Sequence, residues 1–271
     1  MPSTDPERYT AIPLVRYKSK PGSRVIVFFT LEGGIIRTHA RKPSSKKGGT
    51  DGGPSLFSTF DLFLAPPRRG SKLYELRERR LRTSRPGLNS GKPLDSWAAA
   101  SVLAELLLKT MGDGEPHPYL FSMMEKALDH LEGEGSPTPL LVAFLVKHVE
   151  HMGFRPRLDR CICGKATDPG VSVRFDLPRG GVCCSSCLET REDRGDLRGR
   201  TGFVLNPRMR DTLENFRLVR FESLHQTCLD ERTGEALIDL LGAYVEYHFE
   251  IFLKSLGFWR RVHNTRESGS P

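Results

Sequence analysis

Short runs rich in β-branched and aromatic residues, broken by Pro, Gly and Lys, fill the first third of the chain. Five of them read as strands: Thr10 to Lys18, Arg24 to Thr30, Gly34 to Ala40, Leu56 to Ala65 and Leu73 to Leu81. Pro21-Gly22 and Glu32-Gly33 mark tight connections, whereas Arg41 to Ser55 is a long loop of Lys, Ser and Gly closed by Pro54. Five short antiparallel strands in ~80 residues suit a small closed barrel. An OB-fold is the obvious five-stranded form, with a face and loops that bind single-stranded nucleic acid, and an SH3-like barrel fits the strand count almost as well. Phe28 and Phe29 are neighbours in one strand and point to opposite faces, so one is core and the other could stack a base, and both are buried if a helix covers the outer face.

Past Pro93 the apolar period becomes helical. One segment carries Trp97, Val102, Leu106 and Leu107, and a second carries Leu120, Met123, Met124, Leu128 and Leu131. A third starts after Ser136-Pro137, presents Leu140, Leu141, Phe144, Leu145, His148 and Val149, and stops at Gly153. Two further helices are expected, near Asn206 to Leu218 and near Thr233 to Leu256. The last would bury Leu237, Leu240, Leu241, Tyr244, Val245, Phe249 and Phe252. The small polar segment from His263 to Pro271 predicts a disordered tail. The fold class is therefore α+β: an N-terminal five-stranded OB-fold barrel followed by a helical domain with a four-cysteine insert. The implied boundaries are 1–85 for the barrel, 93–158 and 200–258 for the helical domain, 159–190 for the insert and 263–271 for the tail.

Charge changes this picture more than length does. The 271 residues carry a net charge of +8, but Met1 to Arg85 hold 18 Lys and Arg against 7 Asp and Glu, while the rest hold 23 against 26. A positive field confined to one module is the footprint of a polyanion ligand, because each neutralised phosphate releases condensed counterions. The cations expected to contact nucleic acid are Arg16, Lys18, Lys20, Arg24, Arg37, Arg41, Lys42, Lys46, Lys47, Arg68, Arg69 and Lys72. A plain solvated surface is the competing reading, above all for Lys46 and Lys47 in the loop. Arg155, Arg157, Arg160, Arg174 and Arg179 surround the cysteine region and suit either a phosphate or an acidic tail of a partner.

Five of the six cysteines lie between Cys161 and Cys187, in a chain without an apolar leader or a run of ~18 apolar residues. A cytoplasmic protein is expected, so the clustered thiols point to metal rather than disulfides. Cys161, Cys163, Cys184 and Cys187 are the natural tetrahedral set for a structural zinc ion, with Gly164 at the first turn. The first knuckle, Cys-x-Cys, is one residue short, and Cys183 competes with Cys184, which is preferred because it restores Cys-x-x-Cys with Cys187. Four thiolates leave no open position for substrate. Cys228, in a helical context, is expected in the core.

The enzyme readings are weak. His148-Val149-Glu150 ahead of the cysteines resembles half of a zinc deaminase signature, but no Pro precedes the second pair, and residues two apart on a helix diverge. Gly87 to Pro93 has the wrong spacing and a proline where a phosphate-binding loop needs a hydroxyl. No enzymatic activity is expected.

The order of these features resembles the RecO family of bacterial recombinational DNA repair proteins. The likeness rests on Leu14-Val15-Arg16-Tyr17, on Ser23 to Thr30 with Gly34-Ile35-Ile36, on Ala40-Arg41-Lys42-Pro43-Ser44, on the cysteine cluster after Gly153-Phe154-Arg155-Pro156, and on Lys254-Ser255-Leu256. It spans about Tyr9 to Phe258, with the short first knuckle and the long Lys42 to Pro54 loop as departures. The resemblance implies binding of single- and double-stranded DNA and ATP-independent annealing of complementary strands. It also implies RecR and single-strand-binding protein as partners, RecA loading as the indirect outcome, and a cytoplasmic, nucleoid-associated place of action. A zinc-ribbon adaptor that binds nucleic acid without annealing is the alternative, and a zinc deaminase a remote one.

Overall fold

The computed structural model describes residues 6–18, 23–41, 53–67, 70–133, 135–187 and 203–268. Strands β1 (Glu7–Lys18), β2 (Ser23–Thr30), β3 (Gly34–Arg41), β4 (Thr59–Ala65) and β5 (Tyr74–Thr83) close into a barrel in the order β1-β2-β3-β5-β4. Four of the five seams are antiparallel; the fifth joins β3 to β5 in parallel, with Thr38 opposite Tyr74 and His39 opposite Glu75. This crossed order is the OB-type Greek-key closure, and it decides between two barrels that the strand count leaves equal.

Alternation along the strands turns Tyr9, Ala11, Ile26, Phe28, Ile36, Phe60, Leu62 and Leu64 into one core. Phe29 points the other way and is still fully buried, because Phe121 packs on it with ring centroids 5.6 Å apart. Phe121 belongs to α3 (Pro118–Glu132), so a helix does cover the outside of the barrel there. Burying such a ring contributes about 2 kcal/mol. Both phenylalanines are structural, and neither offers a ring to a base.

The chain divides into two compact units, Met1–Glu134 with Lys254–Pro271, and Gly135–Leu253. In the first, α1 (Pro86–Ser90), α2 (Leu94–Thr110) and α3 follow the barrel. Helix α2 buries Ala98 to Ala100, Val102 to Ala104, Leu106 and Leu107, more than one face, as a helix central to its unit must. Helix α4 (Pro137–His151) has that role in the second unit, with every residue from Leu140 to Val149 buried. Around it lie α5 (Pro207–Leu218), capped by the Asn206 side chain on the Met209 amide, a 3-10 turn (Phe221–Gln226), and α6 (Glu231–Phe249), capped by Asp230 on the Thr233 amide. A four-stranded sheet of β6 (Arg157–Cys161), β7 (Val173–Asp176), β8 (Gly181–Cys183) and β9 (Phe203–Leu205), in the order β6-β8-β7-β9, carries the cysteines.

Four expectations are corrected. The single helix from Thr233 to Leu256 is two: α6 ends at Phe249, Glu250 adopts a left-handed φ of 53°, and α7 (Lys254–Ser268) starts anew. The Leu253 amide at the break is held by the Glu246 carboxylate at 2.8 Å. Phe252, in that break, is 63% exposed rather than buried. The segment from His263 is helical as far as Ser268, since α7 packs along α2 and buries Trp259, on which His263 stacks at 4.8 Å. Cys228 is also exposed, not a core residue. Among the described residues no helix is long and apolar enough to cross a membrane.

Candidate nucleic-acid interface and metal centre

Lys20, Lys42, Lys46, Lys47, Arg68 and Arg69 lie outside the described residues, and Lys18 and Arg41 are described only as backbone at the ends of β1 and β3. Of the other expected contacts, Lys72 is exposed and Arg16 and Arg24 are half-buried. Arg37 is tied by an ion pair to Asp113 and is less free to meet a phosphate than its position in β3 implies.

Strand β5 adds cations that the loop-centred reading missed. Arg77, Arg79, Arg80 and Arg82 are all exposed along it. Three have carboxylate neighbours: Arg77 with Glu75 at 3.1 Å, Arg80 with Glu78 at 2.8 Å, and Arg82 with Asp61 at 3.8 Å. Asp61 is shared with Arg8, at 3.1 Å. Arg79 has no carboxylate partner among the described residues, and neither has Arg16. Arg79 stands opposite Leu62 and Arg16 opposite Ile26, two residues of the barrel core, so both guanidinium stems lean to the same side of the sheet as that core. Desolvation first, and then the like charge of Arg16, hold the Arg79 guanidinium below its usual pKa. Two like charges that oppose each other, without a carboxylate partner among the described residues, form a local positive field that a phosphate relieves. Four arginines within six residues of one strand were the available signal.

The barrel is anchored by a residue that reads in the sequence as a mere boundary. Arg85 is 1% exposed. Its guanidinium donates to the Asp129 carboxylate at 2.6 and 2.8 Å, to the Phe57 carbonyl at 2.7 Å, to the Thr59 hydroxyl at 3.2 Å and to the Glu125 carbonyl at 3.4 Å. Phe57 holds a left-handed φ of 64°, so Arg85 fastens a strained turn at the start of β4 to helix α3.

In the second unit the sheet brings together Cys161, Cys163, Cys184 and Cys187, all four sulfurs lying within 4.8 Å of one another. The Cys161 and Cys187 sulfurs are 3.6 Å apart and those of Cys163 and Cys184 3.9 Å. The edge of a tetrahedron with ~2.3 Å metal–sulfur bonds is about 3.8 Å, so the donor set fits a tetrahedral ion. The short first knuckle is accommodated by Gly164, whose φ of 89° turns the chain so that its amide meets the Cys161 carbonyl at 2.8 Å. The Cys184 amide donates to the Cys161 sulfur at 3.1 Å, as suits a thiolate. At Cys163, a backbone hydrogen bond at Lys165 and its sulfur neighbours bring the thiol down to about 7. Cys183 is outside this group: it is 1% exposed, and burial pushes its thiol up to about 11.

Arg210 secures the loop below the cysteines. Nearly buried on α5, it donates to the carbonyls of Leu158 and Asp168 at 2.8 and 2.9 Å and to the Thr167 hydroxyl at 3.0 Å. Its place three residues before Leu213, on the apolar face of the helix, was the only sequence hint. The deaminase reading finds no geometry. His148 is fully buried against Phe144, Glu150 is paired with Arg217 at 3.0 Å, and neither joins the four thiols.

A closed OB-type barrel with exposed cations in the first unit, and helices with a four-thiol centre in the second, are the features this chain carries. Residues 92–257 match the family described as "Recombination protein O C terminal", and the chain belongs to the RecO family. It is 29% identical to the DNA repair protein RecO of Desulforamulus reducens, over 94% of both chains. It is 32% identical to that of Desulfitobacterium hafniense, over 91% of this chain and 86% of the other. Identity to the DNA repair protein RecO of Bacillus subtilis is 25%, over 90% of each.

Proposed function

We propose that the protein is a non-enzymatic mediator of DNA repair and recombination that binds single- and double-stranded DNA and anneals complementary strands without ATP. In this reading it acts in the cytoplasm at the nucleoid, with RecR and single-strand-binding protein as partners, and helps RecA load onto coated strands. The observation that carries it is the OB-type barrel whose paired arginines, Arg16 and Arg79, lack carboxylate partners among the described residues, in a chain of the RecO family.

Annealing by such a surface needs no bond chemistry. Two strands repel as polyanions, and a cationic barrel that holds both raises their local concentration while releasing counterions. Arg16 and Arg79 would take phosphates first, with Arg24, Lys72 and the β5 arginines; Lys42, Lys46 and Lys47, outside the described residues, are further proposed contacts. The barrel within 1–85, the helical parts 93–158 and 200–258 and the insert 159–190 are the proposed division of labour.

Cys161, Cys163, Cys184 and Cys187 would hold one zinc ion, which when bound supplies folding free energy to a sheet of very short strands. Four sulfur donors leave no coordination position for water or substrate, which supports a structural role.

The test is annealing of two complementary oligonucleotides coated with single-strand-binding protein, followed by fluorescence without nucleotide across a salt series. Faster pairing that weakens with salt is expected. Binding without faster pairing would leave only the adaptor reading, and no binding would overturn the assignment of the cationic barrel.

A further inference from the structure

A cavity of about 590 Å³ lies in the second unit, far in sequence from the barrel cations, where the cysteine sheet meets α6. Three arginines from separate segments line it: Arg155 after α4, Arg157 on β6 and Arg179 in the turn between β7 and β8. Arg157 is anchored by its own donation to the Arg179 carbonyl at 3.2 Å. Arg155 reaches carboxylates only loosely, Glu150 and Glu214 both at 3.8 Å. Glu214 and Asp159 also border the cavity, and Asp159 has Arg160 beside it at 3.4 Å, so the lining remains net positive.

Tyr244 adds a hydroxyl to these three guanidinium groups. Its side chain is 2% exposed and lines this cavity, yet its hydroxyl has no hydrogen-bond partner among the described residues. The hydroxyl opens onto the cavity rather than lying among the fully buried unpaired atoms, so it is free to donate to whatever fills that space. The backbone makes room for it. Gly180 has a φ of 61°, and a Cβ there would fall 2.2 Å from the Tyr244 oxygen. Burial raises the Tyr244 phenol to about 12, so the group is a donor at neutral pH.

We infer that this cavity is a phosphomonoester site that takes the phosphorylated end of a DNA strand. Three guanidinium groups and a hydroxyl are more donors than the two oxygens of a carboxylate can use, whereas the terminal oxygens of a phosphomonoester accept from all of them. An internal phosphodiester has one charge and two free oxygens, and its flanking sugars would have to enter as well. The choice of a strand end over a free nucleotide rests on the DNA-binding function proposed above; the phosphomonoester chemistry does not.

The test uses the full chain and single strands that differ only in a 5′-phosphate or 5′-hydroxyl, read by fluorescence polarisation, with Arg157→Ala and Tyr244→Phe as variants. The phosphorylated strand binds about tenfold tighter to the unaltered protein, the equivalent of one charge-assisted hydrogen bond. Both variants lose that preference and keep their affinity for the hydroxyl strand. Equal affinity of the unaltered protein for the two strands overturns the strand-end site. Adenosine monophosphate, titrated by calorimetry, tests the cavity without DNA: it binds the unaltered protein and binds Arg157→Ala at least about tenfold more weakly. If neither strand binds but the nucleotide does, the DNA-binding proposal fails and the phosphomonoester chemistry stands. If an oligo-aspartate peptide occupies the cavity and the nucleotide does not, the site is a peptide site and the inference is wrong.

Discussion

Replacing Arg85 with methionine removes a guanidinium that is 1% exposed and satisfies two chain segments at once, the Phe57 to Thr59 turn and α3. The cost divides unevenly among its partners. Asp129 is 57% exposed and rehydrates, so its loss contributes little. The Thr59 hydroxyl keeps a carboxylate partner in Glu125, at 3.0 Å. The Phe57 carbonyl is different: it belongs to a residue 2% exposed in a left-handed conformation, and it loses its 2.7 Å donor. An orphaned buried acceptor costs about 1–3 kcal/mol, and the strained φ at Phe57, no longer held, adds about 1 kcal/mol of pressure to open the turn. A destabilisation of about 3 kcal/mol is expected, at the low end for breaking a buried charged network.

The assay is urea unfolding followed by tryptophan fluorescence. The chain has two tryptophans, and both, Trp97 on α2 and Trp259 on α7, belong to the same compact unit as the barrel. The signal therefore reports that unit alone and avoids treating two units as one transition. A midpoint shift worth less than about 0.5 kcal/mol, the range of ordinary surface substitutions, would refute the argument that Arg85 fastens the Phe57 turn.

Three further outcomes follow from the same geometry. Cys184→Ser loses stoichiometric zinc and Cys183→Ser retains it, as measured by metal analysis of protein purified without added zinc, because only Cys184 stands among the four thiols. Arg16→Ala with Arg79→Ala weakens strand binding and lowers the dependence of log affinity on log salt by about one per arginine; an unchanged slope would remove these residues from the interface. Gly34→Ala destabilises the barrel unit by more than about 2 kcal/mol in the same fluorescence assay, since φ is 59° and the new Cβ would meet the Glu115 carbonyl oxygen at 2.0 Å.

Strand content and the thiol cluster could be read along the chain because both depend on near neighbours. The stretch Arg24 to Thr30 is β-branched and aromatic whatever it pairs with, and Cys184-x-x-Cys187 encodes its own chelate loop. The break after Phe249 left no such mark. Glu250, Ile251 and Phe252 include no Gly or Pro, and the turn is held by a carboxylate, Glu246, that any helix surface could carry. The helical His263 was equally hidden, because its burial comes from α7 packing on α2 more than a hundred residues earlier.

By itself, then, the sequence determined the module order, the confinement of positive charge to the first 85 residues and the pairing of thiols by spacing, all of which are local or additive properties of composition. Only the tertiary structure decided that the barrel closes through the parallel β3–β5 seam. It also decided that Arg79 feels the like charge of Arg16, that Arg85 and Arg210 are buried anchors rather than surface charges, and that Tyr244 lines one cavity with three arginines. Each of those is a contact between residues distant in the chain. Whether a cation is solvated, paired or frustrated depends on what the fold sets beside it, and that is not a property of its neighbours in sequence.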